Sequence, residues 1–388
     1  MKSFVLFLII IAQFFCTSLW FVGNVVISDV LTNNSISNSQ IGYALTAVQI
    51  GFIIGTLVFA VFAINDRFSS SKIFMWAALT GVLANLTLVV PEISFTSVFV
   101  VRFLTGVCLA GIYPVGMKIA SDYYQKGLGK ALGLLVGALV LGTAFPHLVK
   151  HFAISGNFKI IVYVTSVLAA FGGILIGFGV PDGPFAQKSL AFNSRQIPQI
   201  FAISRFKKAA FGYFGHMWEL YAFWGFVPIL LFDYNTSNLT HLPLSLGSFV
   251  AIAVGAVSCS VGGILSVRFG SKKVAFVSLL GSGICCLLVP LAFYLSSTLF
   301  TIFLVVWGLL VISDSPQFST LVAQSAPLAL KGTALTIVNC IGYTVTIMSI
   351  QLIQYFTNFM SIQYALVVLG IGPVFGLYSL FRMKNSNI

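Results

Sequence analysis

The sequence predicts an all-α membrane protein with twelve transmembrane helices. Of its 388 residues, 59% are hydrophobic and only 7% are charged, whereas soluble domains carry about 25% charged residues. Apolar runs of about 20 residues, the length that a helix needs to cross a bilayer, recur along the whole chain. Lysine and arginine concentrate in alternate loops between these runs. This composition excludes a soluble enzyme with a large core.

The apolar runs set the number of helices. Each is close to the roughly 17–25 residues of a transmembrane helix. In chain order they cover residues 4–27, 41–64, 72–90, 95–117, 130–150, 159–180, 209–232, 244–267, 273–294, 297–323, 331–355 and 361–381.

The first run argues against a signal peptide, and the cysteines argue against a disulfide framework. The first run follows Lys2, is long for a signal peptide and lacks a convincing cleavage site, so it is interpreted as a spanning helix. The six cysteines all fall in apolar runs, without CxxC or metal-ligand spacing, which indicates buried thiols. His147 and His151 alone are too few ligands for zinc. No metal and no cofactor are expected.

The basic residues predict the orientation. With the N-terminus in the cytoplasm, only Lys150 and Lys159 of the 20 lysines and arginines fall outside, and Arg102 falls in the membrane. This asymmetry places both termini in the cytoplasm and supports an even number of spans. The formal charge of +12 is therefore topological and does not indicate a nucleic-acid partner.

A basic segment divides the chain into two halves. We expect an N-terminal six-helix bundle at 1–180, a cytoplasmic linker at 181–208 and a C-terminal six-helix bundle at 209–388. Proline and glycine at Pro181, Gly183 and Pro184 end the preceding helix. The segment from Ser194 to Phe206 is either a short amphipathic helix on the membrane surface or an irregular linker.

The two halves repeat weakly. The loop after the second run, Asn65 to Lys72, shares Arg-Phe, small residues and lysine with Ser266 to Lys273, at an offset of 201. Tyr113-Pro114 corresponds to Ser315-Pro316 at an offset of 202. A parallel repeat of six plus six helices is typical of one large class of secondary transporters.

At these residues the sequence resembles the major facilitator superfamily. Asp66 and Arg67 match the acidic and basic pair of its loop signature, although Phe62 and Ser69 replace two glycines. The matches in the second half are Gly263, Arg268, Gly270 and Lys273, with Val267 in place of the acid. The matches to the intramembrane signature are Arg102, Gly106, Gly111 and Pro114.

Three stretches resemble one bacterial branch that includes cyanate-porter-like proteins. The fifth run departs from the antiporter signature of the superfamily, because Phe145 precedes Pro146 and no glycine pair follows. The three stretches are 131–139 with Pro146-His147, 215–221 and 314–318.

The resemblance implies a fold and a place for the site. It implies two pseudo-symmetric six-helix bundles around a central cavity, lined by the first, fourth, seventh and tenth spans. It also implies a clasp at the cytoplasmic side formed by Asp66 and Arg67, with Arg268 in the corresponding loop.

Glu219 and His216 are the leading candidates for chemistry. A carboxylate inside a membrane is unfavourable by roughly 2.5–3.5 kcal/mol on insertion scales, so a function is the default interpretation. Burial favours the neutral carboxyl, which could therefore gain and lose a proton near neutral pH. His216, three residues away on the same helical face, could share that proton. The alternative is a structural hydrogen bond between helices.

Asp314 and Arg102 are further charged candidates. Asp314 precedes Pro316, and proline kinks a helix. A carboxylate beside a kink could serve as a proton-coupling group, as a gate or as a substrate contact. The alternatives are a charge pair between helices and a water-facing role. Arg102 presents a planar fork of donors suited to an anion. It could pair with Glu219 or Asp314 and release that partner to the substrate, or form a permanent salt bridge.

Polar residues of the other runs are weaker candidates for substrate binding, because such side chains more often join helices. They are Gln13, Trp20, Asn24, Gln49, Tyr113, His147, Trp224 and Asn339.

These observations favour a secondary transporter in the bacterial inner membrane. It would move a small polar or anionic solute by alternating access, coupled to protons, and we expect a monomer in the lipid bilayer. An enzyme or receptor is disfavoured, since the sequence shows no nucleotide loop, HExxH motif or nucleophile elbow. The alternative within transporters is an efflux antiporter for drugs or metabolites.

Overall fold

The computed structural model describes residues 2–33, 40–124, 128–153, 157–185, 193–327 and 330–383, and the side chains at positions 2, 31–33, 66 and 128–130 are outside that description. All regular elements in these ranges are helices, which confirms the all-α prediction. The chain divides into two compact units, Met1–Ser189 and Leu190–Ile388.

Unit 1 is built around its first helix. That helix packs mainly against the two last helices of the unit, while the second helix packs along the fifth. The unit comprises α1 (Lys2–Asn33), α2 (Ile41–Val61), α3 (Ile64–Arg67), α4 (Ser70–Leu86), α5 (Phe95–Ala110), α6 (Tyr113–Tyr123), α7 (Leu128–Phe152) and α8 (Phe158–Gly179).

Unit 2 is built around α10, its longest helix. This helix packs mainly against α15 and α17 and also contacts α11 and α14. The unit comprises α9 (Ile197–Ala202), α10 (Ser204–Asn238), α11 (Leu244–Phe269), α12 (Ser271–Ala292), α13 (Ser297–Ser313), α14 (Ser315–Ser325), α15 (Lys331–Phe356), α16 (Ile362–Ala365) and α17 (Ile371–Phe381).

The predicted fourth and tenth spans are each broken into two helices. In unit 1 the break lies at Gly111 and Ile112, and Pro114 stands in the first turn of α6. In unit 2 the break lies at Asp314, and Pro316 stands in the first turn of α14. Proline is tolerated in a first turn because the amide hydrogen that it lacks has no helical partner there. The breaks fall at the same offset of 202 as the two Pro motifs.

Glycines allow two helix crossings at short range. A side chain at Gly106 of α5 would overlap the carbonyl oxygen of Val48 in α2. A side chain at Gly308 of α13 would overlap the carbonyl oxygen of Ala251 in α11. Small residues let helix backbones approach closely inside a membrane. These glycines also differ by 202 positions, so both units repeat the crossing as well as the break.

Eleven helical segments of the described part, two of which continue across the breaks at Ile112 and Asp314, are long and apolar enough to cross a membrane. They match eleven of the twelve predicted spans. The remaining run, 209–232, forms the middle of α10, which does not reach the same apolarity because it carries His216, Glu219 and several tyrosines and tryptophans. The twelfth span therefore stays a prediction.

Two local predictions have clear outcomes. Of the two alternatives for Ser194 to Phe206, the structure shows a short helix, α9, within the segment, with Ile200 buried; its place on the membrane surface stays a prediction. All six cysteines are buried free thiols, as predicted.

Candidate functional site

The buried carboxylate of Glu219 is the centre of a polar cluster in unit 2. Its side chain is 1% exposed. The Trp307 indole donates to Oε1 at 2.7 Å, the Cys286 thiol donates to the same oxygen at 3.3 Å, and the Ser282 hydroxyl donates to Oε2 at 2.8 Å. These donors belong to α12 and α13, so Glu219 connects α10 to two neighbouring helices.

Ser282 gives this cluster two hydrogen-bonding arrangements. Its Oγ lies 2.8 Å from Oε2 of Glu219 and 3.2 Å from the carbonyl oxygen of Leu279. A hydroxyl has one hydrogen to donate and two lone pairs to accept with. When Glu219 is ionised, Ser282 can donate to it. When Oε2 carries a proton, the carboxyl can donate to Ser282, which then donates to Leu279.

His216 and Asp314 form a second buried pair in unit 2. Nδ1 of His216 lies 2.8 Å from Oδ1 of Asp314, and both side chains are 1% exposed. Asp314 occupies the break and is the N-cap of α14. A carboxylate is favoured there by the positive end of the helix dipole. The ring of His216 also lies between those of Tyr213 and Phe318, each at 6.0 Å.

The structure gives His216 a different neighbour from the one that the sequence suggested. We expected His216 to act on Glu219, but its Nδ1 contacts Asp314, and the hydrogen bonds found for Glu219 go to Ser282, Cys286 and Trp307. Residues three apart on a helix share a face. They can nevertheless contact different neighbouring helices. Here His216 contacts Asp314 at the start of α14, whereas Glu219 contacts α12 and α13.

Arg102 is the buried cation of unit 1. It is 1% exposed, and its guanidinium donates to the main-chain carbonyls of Leu19, at 3.1 Å, and of Trp20. A side chain at Gly23 would overlap the guanidinium, so the glycine makes room for it beside α1. Carbonyl oxygens carry only partial negative charge, so the guanidinium keeps a net positive charge. The expected pairing of Arg102 with Glu219 or Asp314 stays a prediction.

Several buried polar groups of unit 1 have no hydrogen-bond partner among the described residues. Gln13 is completely buried, and both its amide nitrogen and its amide oxygen are in this group. Asn24, Gln49 and His147 contribute Oδ1, Oε1 and Nε2, and the group also includes side-chain oxygens of Thr56, Asn65, Ser71 and Asn85. Buried polar atoms nearly always have partners, so these exceptions require an explanation. Four of these residues, Gln13, Asn24, Gln49 and His147, were predicted to bind substrate.

The remaining predicted binding residues are aromatic or amide side chains. Trp20 is buried against the ring of Phe52 at 4.9 Å, and Trp224 is buried against Tyr221 at 5.3 Å. Tyr113 begins α6 and Asn339 lies in α15, and both are half-buried. Among the described residues, no group of three His, Cys, Asp or Glu side chains could hold a metal ion.

The predicted gate residues lie at the ends of helices. The side chain of Asp66 is outside the described part, and Arg67 is exposed at the end of α3. Arg268 is exposed, with its guanidinium 5.2 Å from the ring of Phe269. The signature loop of unit 1 is connected to the end of α8 by other side chains.

Two hydrogen bonds make that connection. Ser69, which replaces a signature glycine, donates to Asp182 at 2.7 Å. Lys72 donates to the carbonyl of Gly177 at 2.7 Å.

Sequence reasoning missed the partners of Glu219. Ser282 and Cys286 are four residues apart in α12 and therefore share a helical face, which is the one signal that could have found them. Trp307 gave no signal, because a tryptophan in an apolar run is ordinary. A second missed contact is the hydrogen bond at 2.8 Å between the hydroxyls of Tyr221 and Tyr343.

Comparison with protein families identifies the class of this molecule. The model of the Major Facilitator Superfamily matches residues 9–350, most of the chain. The chain belongs to the Major Facilitator Superfamily. It is therefore an integral membrane protein of a transporter family, with transmembrane helices and a small-molecule substrate. A comparison with curated proteins found no match.

Proposed function

We propose that this chain is a secondary active transporter that moves a small polar or anionic solute by alternating access, with protons as the coupling ion. Its membership of a transporter family and its apolar helices support transport in general. The polar cluster around Glu219 supports proton coupling, and the buried charge of Arg102 supports an anionic solute.

The observation that carries the proposal is the arrangement of donors around Glu219. Trp307 can only donate, so Oε1 accepts its hydrogen bond in either protonation state. Ser282 can donate or accept, so Oε2 can be bare or protonated with a hydrogen bond in both cases. The cluster can therefore gain or lose a proton without leaving a buried polar atom unpaired.

His216 and Asp314 extend the proposal to a second protonation site. A protonated histidine beside a carboxylate is a neutral pair, and each charge is unfavourable without the other. Both side chains are buried at the helix break before Pro316. We propose that their protonation changes with the conformation of this break, which makes Asp314 and Pro316 part of a gate.

The proposed substrate site uses the polar groups of unit 1. The Arg102 guanidinium would attract the negative charge of the solute. Gln13, Asn24, Gln49 and His147 would supply donors and acceptors that have no other described partner. A small solute with one anionic group and several polar atoms would match this set.

The membrane arrangement is part of the proposal. We propose that α10 is the twelfth span, with two six-helix bundles and both termini in the cytoplasm of a bacterial inner membrane. The concentration of lysine and arginine in alternate loops supports this orientation. The monomeric state, the clasp of Asp66 with Arg67, the role of Arg268 and the cyanate-porter-like branch remain predictions.

The proposed function can be tested with purified protein in liposomes. A thermal-shift screen of small carboxylates, inorganic anions, amino acids and nucleosides first identifies a solute, because a ligand that binds the folded state raises its stability. Uptake of that solute is then measured with and without an inward proton gradient. We expect accumulation only with the gradient. Accumulation of cationic dyes in inverted vesicles, with no solute uptake, would favour efflux instead.

Glu219→Gln tests the coupling residue. Glutamine can accept from Trp307 and donate to Ser282, so it resembles the protonated carboxyl and should fold. We expect solute exchange at equal pH to persist and gradient-driven accumulation to be lost. The matched control is Glu92→Gln, because Glu92 is exposed and should leave both assays unchanged. Gradient-driven accumulation by Glu219→Gln would exclude Glu219 as the coupling group.

A further inference from the structure

Unit 2 carries an apolar groove with a basic end, outside the polar clusters described above. The groove has a volume of about 520 Å³ and lies on α11, α12 and α13. Its walls include Val257, Val261 and Leu265 of α11, which are 62%, 46% and 41% exposed. Lys273 in the first turn of α12 also lines it. We infer that this groove binds one anionic phospholipid, with an acyl chain in the groove and the phosphate at Lys273.

The floor of the groove is suited to a hydrocarbon chain. Small residues of α11, α12 and α13 form it, among them Ser258, Gly262, Ser278 and Ser313. The hydroxyls of Ser278 and Ser313 hydrogen-bond to each other, and that of Ser258 donates to the carbonyl of Gly255 at 3.0 Å. Since these hydroxyls already have partners, the floor favours an apolar occupant over a polar solute.

The length of the groove matches one leaflet of a bilayer. Its lining on α11 runs from Val257 to Phe269, twelve residues apart. At 1.5 Å per residue this is about 18 Å. One leaflet contributes half of the hydrocarbon core, which is about 30 Å thick. An acyl chain that starts at the basic end would therefore reach about the middle of the bilayer.

Positive charge is concentrated at the end where a headgroup would lie. Lys273 is exposed and lines the groove, and Arg268 is exposed next to Phe269, which also lines it. Lys272 is adjacent, but its ammonium donates to the carbonyl of Met383. Basic groups between helices at a membrane surface bind anionic headgroups. The charge therefore selects an anionic lipid over a zwitterionic one.

A bound lipid would contact the helix break. Ser313 lines the groove and is followed by Asp314, the partner of His216. The carbonyl oxygen of Ser313 would be 3.0 Å from a side chain at Gly262, so α11 and α13 are closely packed there. An acyl chain in the groove would rest on the segment that ends at the break.

Native mass spectrometry of the purified full chain tests the inference. Phosphatidylglycerol and phosphatidylcholine with identical acyl chains are titrated in one detergent. We expect one phosphatidylglycerol to remain bound to each chain at concentrations where phosphatidylcholine does not. Equal retention of the two lipids would overturn the headgroup assignment. Competition by soluble glycerol phosphate at similar concentration would also overturn it, since the site would then be an anion site without an acyl chain.

Two variants locate the lipid. Lys273→Gln should weaken phosphatidylglycerol binding about fivefold, the effect of one basic residue near a membrane surface. Lys331→Gln is the control, because Lys331 is also in the first turn of a helix but does not line the groove. Val261→Trp should fill the groove and abolish retention, whereas Ile264→Trp, on an exposed position of α11 outside the lining, should not.

The controls keep the inference falsifiable. Equal weakening by Lys273→Gln and Lys331→Gln would indicate general attraction to a basic protein and would overturn the site. Retention of phosphatidylglycerol by Val261→Trp would overturn it as well. Folding of every variant is checked by its thermal unfolding in detergent without added lipid.

Discussion

The two units share a backbone plan and bury different ionisable groups. Each has a close crossing of two helices at a glycine, Gly106 or Gly308, and a helix break beside a proline, Pro114 or Pro316. Unit 1 has a buried arginine beside α1, a buried His147 and a buried Asp122 that is paired with Lys118, whereas unit 2 has two buried carboxylates and a histidine without a lysine or arginine partner among the described residues. The internal repeat therefore determines the paths of the helices, and individual side chains determine the chemistry.

The break shows this difference in one place. In unit 1 the residues at the break are Gly111 and Ile112. Their only polar groups are those of the main chain. In unit 2 the position of Ile112 is taken by Asp314, 202 residues later. One substitution in the repeat thus turns a backbone feature into a site for charge.

The shared crossing should produce the largest effects. Gly106→Ala and Gly308→Ala each place a side chain against a main-chain carbonyl, which no rotamer change can relieve. We expect each to lower the free energy of unfolding by about 3 kcal/mol, measured by denaturant or thermal unfolding in detergent. Gly133→Ala and Gly263→Ala, where nothing lies within 4 Å, are the controls. A large effect in only one unit would show that the crossing is not shared.

The buried pair of His216 and Asp314 should come next. Asp314→Ala leaves His216 buried without its partner, and we expect the free energy of unfolding to fall by about 3 kcal/mol or slightly less. The comparison in unit 1 is Asp29→Asn, which removes the negative charge from a pair with Lys150 that is about one third exposed. Such pairs contribute at most about 1 kcal/mol. An equal decrease in the free energy of unfolding for both variants would show that burial does not increase the contribution of the His216–Asp314 pair.

The space beside Arg102 should give the smallest effect. Gly23→Ala displaces the guanidinium, a flexible group, and should lower the free energy of unfolding by about 1 kcal/mol. The same substitution in an Arg102→Ala background should have almost no effect, because the overlapping group is gone. An unchanged penalty in that background would contradict the contact of Gly23 with Arg102.

Much of the fold follows from local sequence, and the breaks illustrate why. Proline lacks an amide hydrogen, so Pro114 and Pro316 indicate helix starts without any knowledge of neighbours. Charged residues inside apolar runs likewise identified Arg102, Glu219 and Asp314, which the structure places in buried positions.

The partners of these charges could not be predicted, because tertiary packing selects them. His216 is three residues from Glu219 in the sequence, yet it pairs with Asp314, which is distant in the chain. Tryptophan is ordinary in an apolar helix, so Trp307 gave no warning of its contact with Glu219, and the four-residue spacing of Ser282 and Cys286 was the one signal of theirs. His216 and Glu219 also lower the apolarity of α10, the one predicted span that is not among the eleven apolar helical segments of the described residues.

The burial of all six cysteines has a practical consequence for measuring motion. Maleimide reagents react with accessible thiols, so the native protein should give a low background of labelling without removal of any cysteine. Arg67 and Arg268 are exposed at helix ends, one in each unit, and replacing each with cysteine would provide two defined attachment points for spectroscopic probes. The distance between the two probes, recorded with and without solute, would test the proposed alternating access.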